Sequence, residues 1–146
     1  PVAGRLDTGR IAAVGHSAGA YTAAAMFTAG HSPRLRGAVV VAGARPRIDF
    51  GGPAAPMLIV HGGADPVVPY ATGRATYDRM PWPKAFLTLT RLDHGSYLSP
   101  GRRGYAPTMA TVTDIQRRRR YLDQRARHRI PADAQRPGVA RLTGHL

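Results

Sequence analysis

The sequence has no cysteine and no glutamate, and Lys84 is its only lysine. The absence of cysteine excludes a disulfide framework and any metal site built on thiolates. No apolar run reaches the roughly 18 residues that a membrane-spanning helix needs. The 146 residues suffice for one domain with a sizeable core. The chain starts at Pro1 without a signal-peptide pattern, and this assigns it to no compartment.

Basic residues strongly outnumber acidic ones, and the excess is concentrated near the C-terminus. The chain has 21 Lys and Arg against 8 Asp, for a formal net charge of +13. Residues 1–100 hold 10 basic and 5 acidic residues, whereas residues 101–146 hold 11 basic and 3 acidic ones. The heavy use of Arg, Ala, Gly and Pro is typical of a GC-rich coding sequence, which weakens a functional interpretation of the arginines.

Short apolar runs alternate with helical stretches along the chain. Strands are expected at residues 10–14, 37–42, 56–61 and 85–90, and helices at residues 18–29, 70–80 and 108–129. The first three strands are almost wholly apolar, as parallel strands covered on both faces are, whereas the alternating fourth belongs nearer a sheet edge. The pattern predicts a three-layer α/β/α domain over residues 1–130, with a mostly parallel sheet of about four strands. Residues 131–146 are predicted to be a basic, poorly structured tail.

The motif Gly-His-Ser-Ala-Gly at residues 15–19 follows the first apolar run and precedes an alanine-rich helix. This order of strand, G-x-S-x-G and helix is that of a nucleophile elbow, a tight turn that exposes a serine hydroxyl. The flanking Gly15 and Gly19 would let the helix approach the strand closely, while Ser17 would be held in a strained conformation. Ser17 is therefore the candidate nucleophile. The backbone N–H of Ala18, at the helix start, is the candidate first donor of an oxyanion hole.

A serine nucleophile needs an acid and a histidine, and the loop after the third strand supplies the acid. Asp65 lies just beyond the end of that strand, where functional residues of parallel sheets are found. Its expected role is to orient a histidine and stabilise its cation. The alternative is that Asp65 only caps the helix near Tyr70. Asp49 is a weaker competing acid.

The histidine is expected to be His94, which follows the fourth strand beside Gly95. An imidazole with its usual pKa near 6.5 can act as base and then as acid around neutral pH. Of the six histidines, only His94 has the right place in chain order after the nucleophile and the acid. The other five are His16, inside the elbow, together with His31, His61, His128 and His145.

The order Ser17, Asp65, His94 on strand ends resembles the α/β-hydrolase superfamily. Residues 10–19 are similar to the elbow of its serine esterase and lipase branch. Residues 61–69 resemble the acid loop of dienelactone-hydrolase-like and polyester-hydrolase-like members, and residues 93–95 resemble the histidine loop. The resemblance covers roughly residues 5–115. It implies hydrolysis of small-molecule carboxylic esters through an acyl-serine intermediate, with no cofactor and no metal.

The chain departs from the superfamily pattern in one important way, because the elbow normally follows the fifth strand of the sheet. With Ser17 so early, the resemblance implies that this chain corresponds to the C-terminal half of such a hydrolase. The strand at residues 10–14 is then expected to be an open sheet edge. The loop that gives the second oxyanion N–H has no counterpart, and the loss of one such donor costs on the order of 10²–10³ in rate.

The run Arg117–Arg120 interrupts the apolar stripe of the last predicted helix. Four consecutive arginines point in every direction around a helix, so a solvated helix or a local error of translated frame is favoured over a functional basic patch. No nucleic acid is expected as a partner, and the oligomeric state is left open. The alternatives to an active esterase are a non-catalytic hydrolase fragment and, less favoured, a basic nucleic-acid-binding module.

Overall fold

The computed structural model describes residues 7–43, 47–121, 132 and 134–145, except for the side chains of residues 118–121. Its strands are β1 (Ile11–His16), β2 (Leu35–Val41), β3 (Met57–Gly62), β4 (Lys84–Leu89) and β5 (Ala140–His145). Its helices are α1 (Ala18–Ala25), α2 (Tyr70–Arg79) and α3 (Tyr105–Tyr121), with a turn of 3-10 helix at Ser96–Leu98.

The strands form one sheet in the order β1-β2-β3-β4-β5. The first four are parallel, and β5 runs antiparallel to β4. Helix α1 packs Ala20 and Ala24 against one face of the sheet, where α2 adds Tyr77, and α3 packs Ile115 against the other face. The inner strands β2 and β3 are almost wholly buried between these layers, which their apolar sequences allow. The prediction of a three-layer α/β domain with a mostly parallel sheet is confirmed.

The C-terminal segment contains a strand where the sequence suggested a poorly structured tail over residues 131–146. Arg136 and Ala140 exchange backbone hydrogen bonds across a turn, and β5 then pairs along the whole of β4. The described sheet therefore has five strands rather than about four, and β4 lies inside it rather than at its edge. Ala140 is the only buried residue of β5, so this segment carries little of the apolar signal that predicted the other strands.

Helix α2 ends one residue before the predicted end at residue 80. The other two helices differ more from the prediction. Helix α1 ends at Ala25, four residues early, because the chain turns there and buries Phe27 completely. Helix α3 begins three residues early, at Tyr105, with Pro107 in its first turn, where a missing N–H breaks no helical hydrogen bond. The expected continuation of this helix to residue 129 and the domain division at residue 130 fall on residues 122–131, which lie outside the described residues.

Strand β1 lies at one edge of the sheet, and within the described ranges β2 is its sole sheet neighbour. Its side chains Ile11 and Val14 are 41% and 56% exposed. An edge that shows backbone donors, acceptors and apolar side chains together is prone to pair with other chains. Among the described strands, β1 is therefore the sheet edge that the resemblance implies, directly before the serine turn.

Two isoleucines, one on the edge strand β1 and one on the inner strand β3, provide a matched stability test. Ile59 is fully buried at the centre of β3, so Ile59→Ala should lower the free energy of unfolding by about 2–5 kcal/mol. Ile11 is partly exposed on β1, so Ile11→Ala should cost no more than about 1 kcal/mol. Urea unfolding followed by circular dichroism measures both values. Equal losses would contradict the placement of β1 at the sheet edge.

Candidate active site

The turn from β1 into α1 holds Ser17 in a strained backbone conformation. Its φ is 55° and its ψ is −120°, a combination that non-glycine residues seldom adopt and that costs about 1–3 kcal/mol. Gly15 permits the turn, because a Cβ at that position would lie 2.1 Å from the carbonyl oxygen of Gly19. The Ser17 N–H donates to the carbonyl oxygen of Val41 on β2 at 2.9 Å. The strained serine therefore stands at the carboxyl end of β1, anchored to the sheet.

Gly19 does not share the constraint that acts on Gly15. A Cβ at Gly19 would meet no described atom within 4 Å, so the expectation that both glycines are sterically required is wrong for Gly19. Ala18 is the first residue of α1, and the first N–H groups of a helix have no acceptor within it. The N–H of Ala18, the residue next to Ser17, therefore has no acceptor within the helix.

The loop after β3 fixes the carboxylate of Asp65 from one side. Oδ1 accepts hydrogen bonds from the backbone N–H groups of Val67 and Val68 at 2.8 and 2.9 Å. The N-cap position of α2 is Pro69 rather than Asp65, so the alternative that Asp65 merely caps this helix is not the arrangement found. The side chain of Asp65 is 0% exposed. One carboxylate oxygen is thus used by the loop, and the other, Oδ2, faces His94.

His94 connects the loops after β1, β3 and β4 in a chain of hydrogen bonds. Its Nδ1 lies 2.8 Å from Asp65 Oδ2, and because a carboxylate only accepts, Nδ1 is the donor. In the neutral ring Nε2 is then an acceptor, and it lies 2.9 Å from Ser17 Oγ, which donates. The structure thus brings together the three side chains that the sequence singled out, with the ring of His94 20% exposed.

The environment of Asp65 favours its ionised form. Burial alone would raise the pKa of Asp65, but hydrogen bonds from the Val68 and Val67 N–H groups and from His94 outweigh it and lower the pKa below its usual value. The carboxylate is therefore charged at neutral pH. A charged acceptor at Nδ1 holds the ring of His94 in the tautomer whose Nε2 can take up a proton.

A second histidine, His61, lies directly behind the acid. It is fully buried at the end of β3. Its Nε2 donates to the carbonyl oxygen of Val68 at 3.0 Å and lies 3.5 Å from Asp65 Oδ2. Gly73 on α2 leaves room for this ring, since a Cβ there would lie 2.5 Å from Nδ1. Burial lowers the pKa of His61 below its usual 6.5, so the ring is neutral beside the ionised acid.

His16 contacts the histidine loop from the elbow itself. Its Nε2 lies 2.9 Å from the carbonyl oxygen of His94, and the two ring centroids are 4.9 Å apart. Sequence reasoning assigned His16 no role, because a side chain next to the nucleophile points away from the hydroxyl. Its position inside the motif was the available signal. For His61, the signal was a histidine at the end of a buried strand four residues before the acid.

The competing acid and the other histidines are engaged elsewhere. Asp49 is 94% exposed and pairs with Arg79 at the end of α2, with 3.0 Å between nitrogen and oxygen. The Nδ1 atom of His31 contacts the carbonyl oxygens of two turns, at Thr28 and Gly51. His145 is the last residue of β5. The remaining histidine, His128, lies outside the described residues.

The other sequence features have only partial structural counterparts. Arg117 is exposed on α3, and the side chains of the three arginines after it lie outside the described part. None of the described helices has the length and apolar character needed to cross a bilayer. In the same part of the chain, no three His, Asp or Glu side chains are grouped so that they could hold a metal ion.

Comparison with known proteins identifies no family for this chain. No protein-family model matches the chain, and no curated protein sequence matches it significantly. The functional argument therefore rests on the geometry of Ser17, Asp65 and His94.

The low pKa of His61 predicts a pH-dependent contribution to stability. When the chain unfolds, the pKa of His61 returns to about 6.5. At a pH below this value the unfolded chain binds a proton that the buried ring of the folded protein does not bind. The folded state therefore loses stability as the pH falls below about 6.5. His61→Gln retains an N–H donor for the Val68 carbonyl but does not titrate. Its Tm should fall less steeply between about pH 7 and pH 5 than that of the wild type. Parallel Tm curves in differential scanning calorimetry would contradict this account of His61.

Proposed function

We propose that this protein is a serine esterase of the α/β-hydrolase superfamily, which hydrolyses carboxylic esters through an acyl-serine intermediate. The observation that carries the proposal is the continuous chain of hydrogen bonds from Ser17 Oγ through His94 to Asp65, with 2.9 and 2.8 Å at its two steps. The strained φ of Ser17 supports it, because such strain is seldom retained at a serine without use. The order of the three residues along the chain is that of this superfamily.

The first half of the proposed reaction forms the acyl-serine. Ser17 Oγ attacks the ester carbonyl carbon while His94 Nε2 accepts the hydroxyl proton, and the carbonyl oxygen becomes an oxyanion. The ionised Asp65 stabilises the imidazolium that forms at His94. The tetrahedral intermediate then collapses, the bond between carbon and the alkoxy oxygen breaks, and His94 returns its proton to the leaving alcohol.

The second half hydrolyses the acyl-serine by the same residues. A water molecule attacks the acyl carbon while His94 Nε2 accepts one of its protons. Collapse of the second tetrahedral intermediate breaks the bond to Ser17 Oγ, and His94 returns the proton to that oxygen. The products are the free acid and the regenerated serine. In both halves the N–H of Ala18, at the positive end of α1, is the proposed donor to the oxyanion.

One observation favours a second candidate, a folded but inert chain. The strand that presents Ser17 is the open edge β1, and Ala18 is the one oxyanion donor that the elbow supplies. Loss of one donor lowers the rate by about 10²–10³. Covalent labelling separates the candidates, because a fluorophosphonate reacts with an activated serine without any turnover.

The nucleophile is tested by Ser17→Ala, with Ser99→Ala as the matched control on an exposed serine. Wild-type protein should hydrolyse short-chain p-nitrophenyl esters and take up a fluorophosphonate at Ser17. The Ser17→Ala variant should lose both, with kcat reduced by about 10⁴-fold or more, while Ser99→Ala keeps both. Unchanged hydrolysis in Ser17→Ala would refute the esterase, and unlabelled wild-type protein would favour the inert chain.

The acid is tested by comparing Asp65→Asn with Asp49→Asn. The first change removes the charged acceptor at His94 Nδ1, so kcat should fall by about 10⁴-fold. The second removes an exposed carboxylate paired with Arg79 and should leave kcat unchanged. Steady-state kinetics on a p-nitrophenyl ester measures both. The assignment of the acid is wrong if the two variants have the same kcat.

A further inference from the structure

We propose that His16 is a positioning residue, whose imidazole ties the main chain of His94 to the serine turn and so fixes the distance between His94 Nε2 and Ser17 Oγ. This inference rests on the proposed function, since it concerns the efficiency of the same site. The elbow then holds His94 at two points. Ser17 contacts the ring, and His16 contacts the backbone of the same residue.

The contact between His16 and His94 has a defined direction. The His94 carbonyl oxygen can only accept, so His16 Nε2 carries the proton and donates across 2.9 Å. The neighbouring Gly95 provides the space for this approach. A Cβ on Gly95 would lie 3.3 Å from His16 Nε2 and 3.4 Å from the adjacent ring carbon, tighter than a side chain comfortably allows. The imidazole of His16 thus lies directly against the histidine loop.

The other side-chain hydrogen bonds of the histidine loop do not connect its main chain to β1. Asp93 Oδ1 accepts from the N–H groups of Gly95 and Ser96 at 3.0 and 2.8 Å, which shapes the loop internally. Asp65 holds the ring of His94 from the side of β3. The bond from His16 connects the main chain of the loop to β1, the strand that carries the nucleophile.

The position of β1 explains why such a connection matters. As the edge strand it is held on one side by β2 in the described sheet, so the serine turn has less support than a turn after an inner strand. A misplacement of about 1 Å between reacting groups can reduce a rate by about 100-fold. His16 is exposed, so folding does not require an imidazole there, and its effect is expected in catalysis rather than in stability.

The test compares His16→Phe, His16→Gln and the control His145→Gln, at an exposed histidine at the end of β5. His16→Phe keeps a ring but has no donor, so kcat for p-nitrophenyl acetate should fall by about 10- to 100-fold with KM unchanged. The rate of fluorophosphonate labelling should fall by a similar factor. His16→Gln, whose amide N–H reaches a similar position, should stay within about threefold of the wild type. The Tm should be unchanged in all three variants.

Several outcomes would overturn the proposal. A wild-type kcat in His16→Phe would show that catalysis does not need the hydrogen bond from His16 to His94. An equal fall of kcat in His16→Gln would show that the N–H donor at this position does not determine the rate. A rise in KM with unchanged kcat would instead place His16 in contact with substrate.

Failure of the proposed function itself would be recognised separately, as wild-type protein that neither turns over nor is labelled. The hydrogen bond between His16 and His94 is then tested by the chemical shift of the Gly95 amide in NMR spectra. A large shift in His16→Phe that His16→Gln does not show supports it, and equal spectra overturn it.

Discussion

The site depends on one constraint, which is that the four neighbouring strands β1, β2, β3 and β4 all run parallel. Parallel strands end at the same edge of a sheet, so the turns after β1, β3 and β4 converge even though their residues are far apart along the chain. Ser17, Asp65 and His94 come one from each of these turns. The chain of hydrogen bonds among them is therefore a consequence of strand direction and register.

Close backbone packing and burial adjust this arrangement. The absence of a side chain at Gly15 brings α1 against β1, and the absence at Gly73 admits the ring of His61 behind the acid. The two buried groups differ in charge. Asp65 is ionised because three N–H donors face it, and His61 is neutral because burial disfavours its cation. The negative charge of Asp65 faces His94, the ring that is proposed to become cationic.

The sequence predicted most of what depends on local pattern. Near-continuous apolar runs identified three strands and an alternating run identified the fourth, while the glycine-flanked serine between strand and helix identified the turn at Ser17. Strand β5 was missed because Ala140 is its one buried residue. Its sequence therefore has almost no apolar pattern from which a strand could be predicted. The contact of His16 with His94 was missed for a different reason. It joins residues from separate loops, and such a distance is set by tertiary packing rather than by spacing along the chain. The bond of His61 to the Val68 carbonyl lies within one loop, as a histidine at the end of a strand suggests.

The central claim is that Ser17 carries an acyl group during turnover, and pre-steady-state kinetics tests it most directly. Rapid mixing of the wild-type protein with p-nitrophenyl acetate should release a burst of about one p-nitrophenol per chain, because acylation precedes slower hydrolysis of the acyl-serine. Acid quenching during the burst, followed by mass spectrometry of the peptides, should find an acetyl group on Ser17. Product release without a burst, or an acetyl group on a residue other than Ser17, would contradict the account.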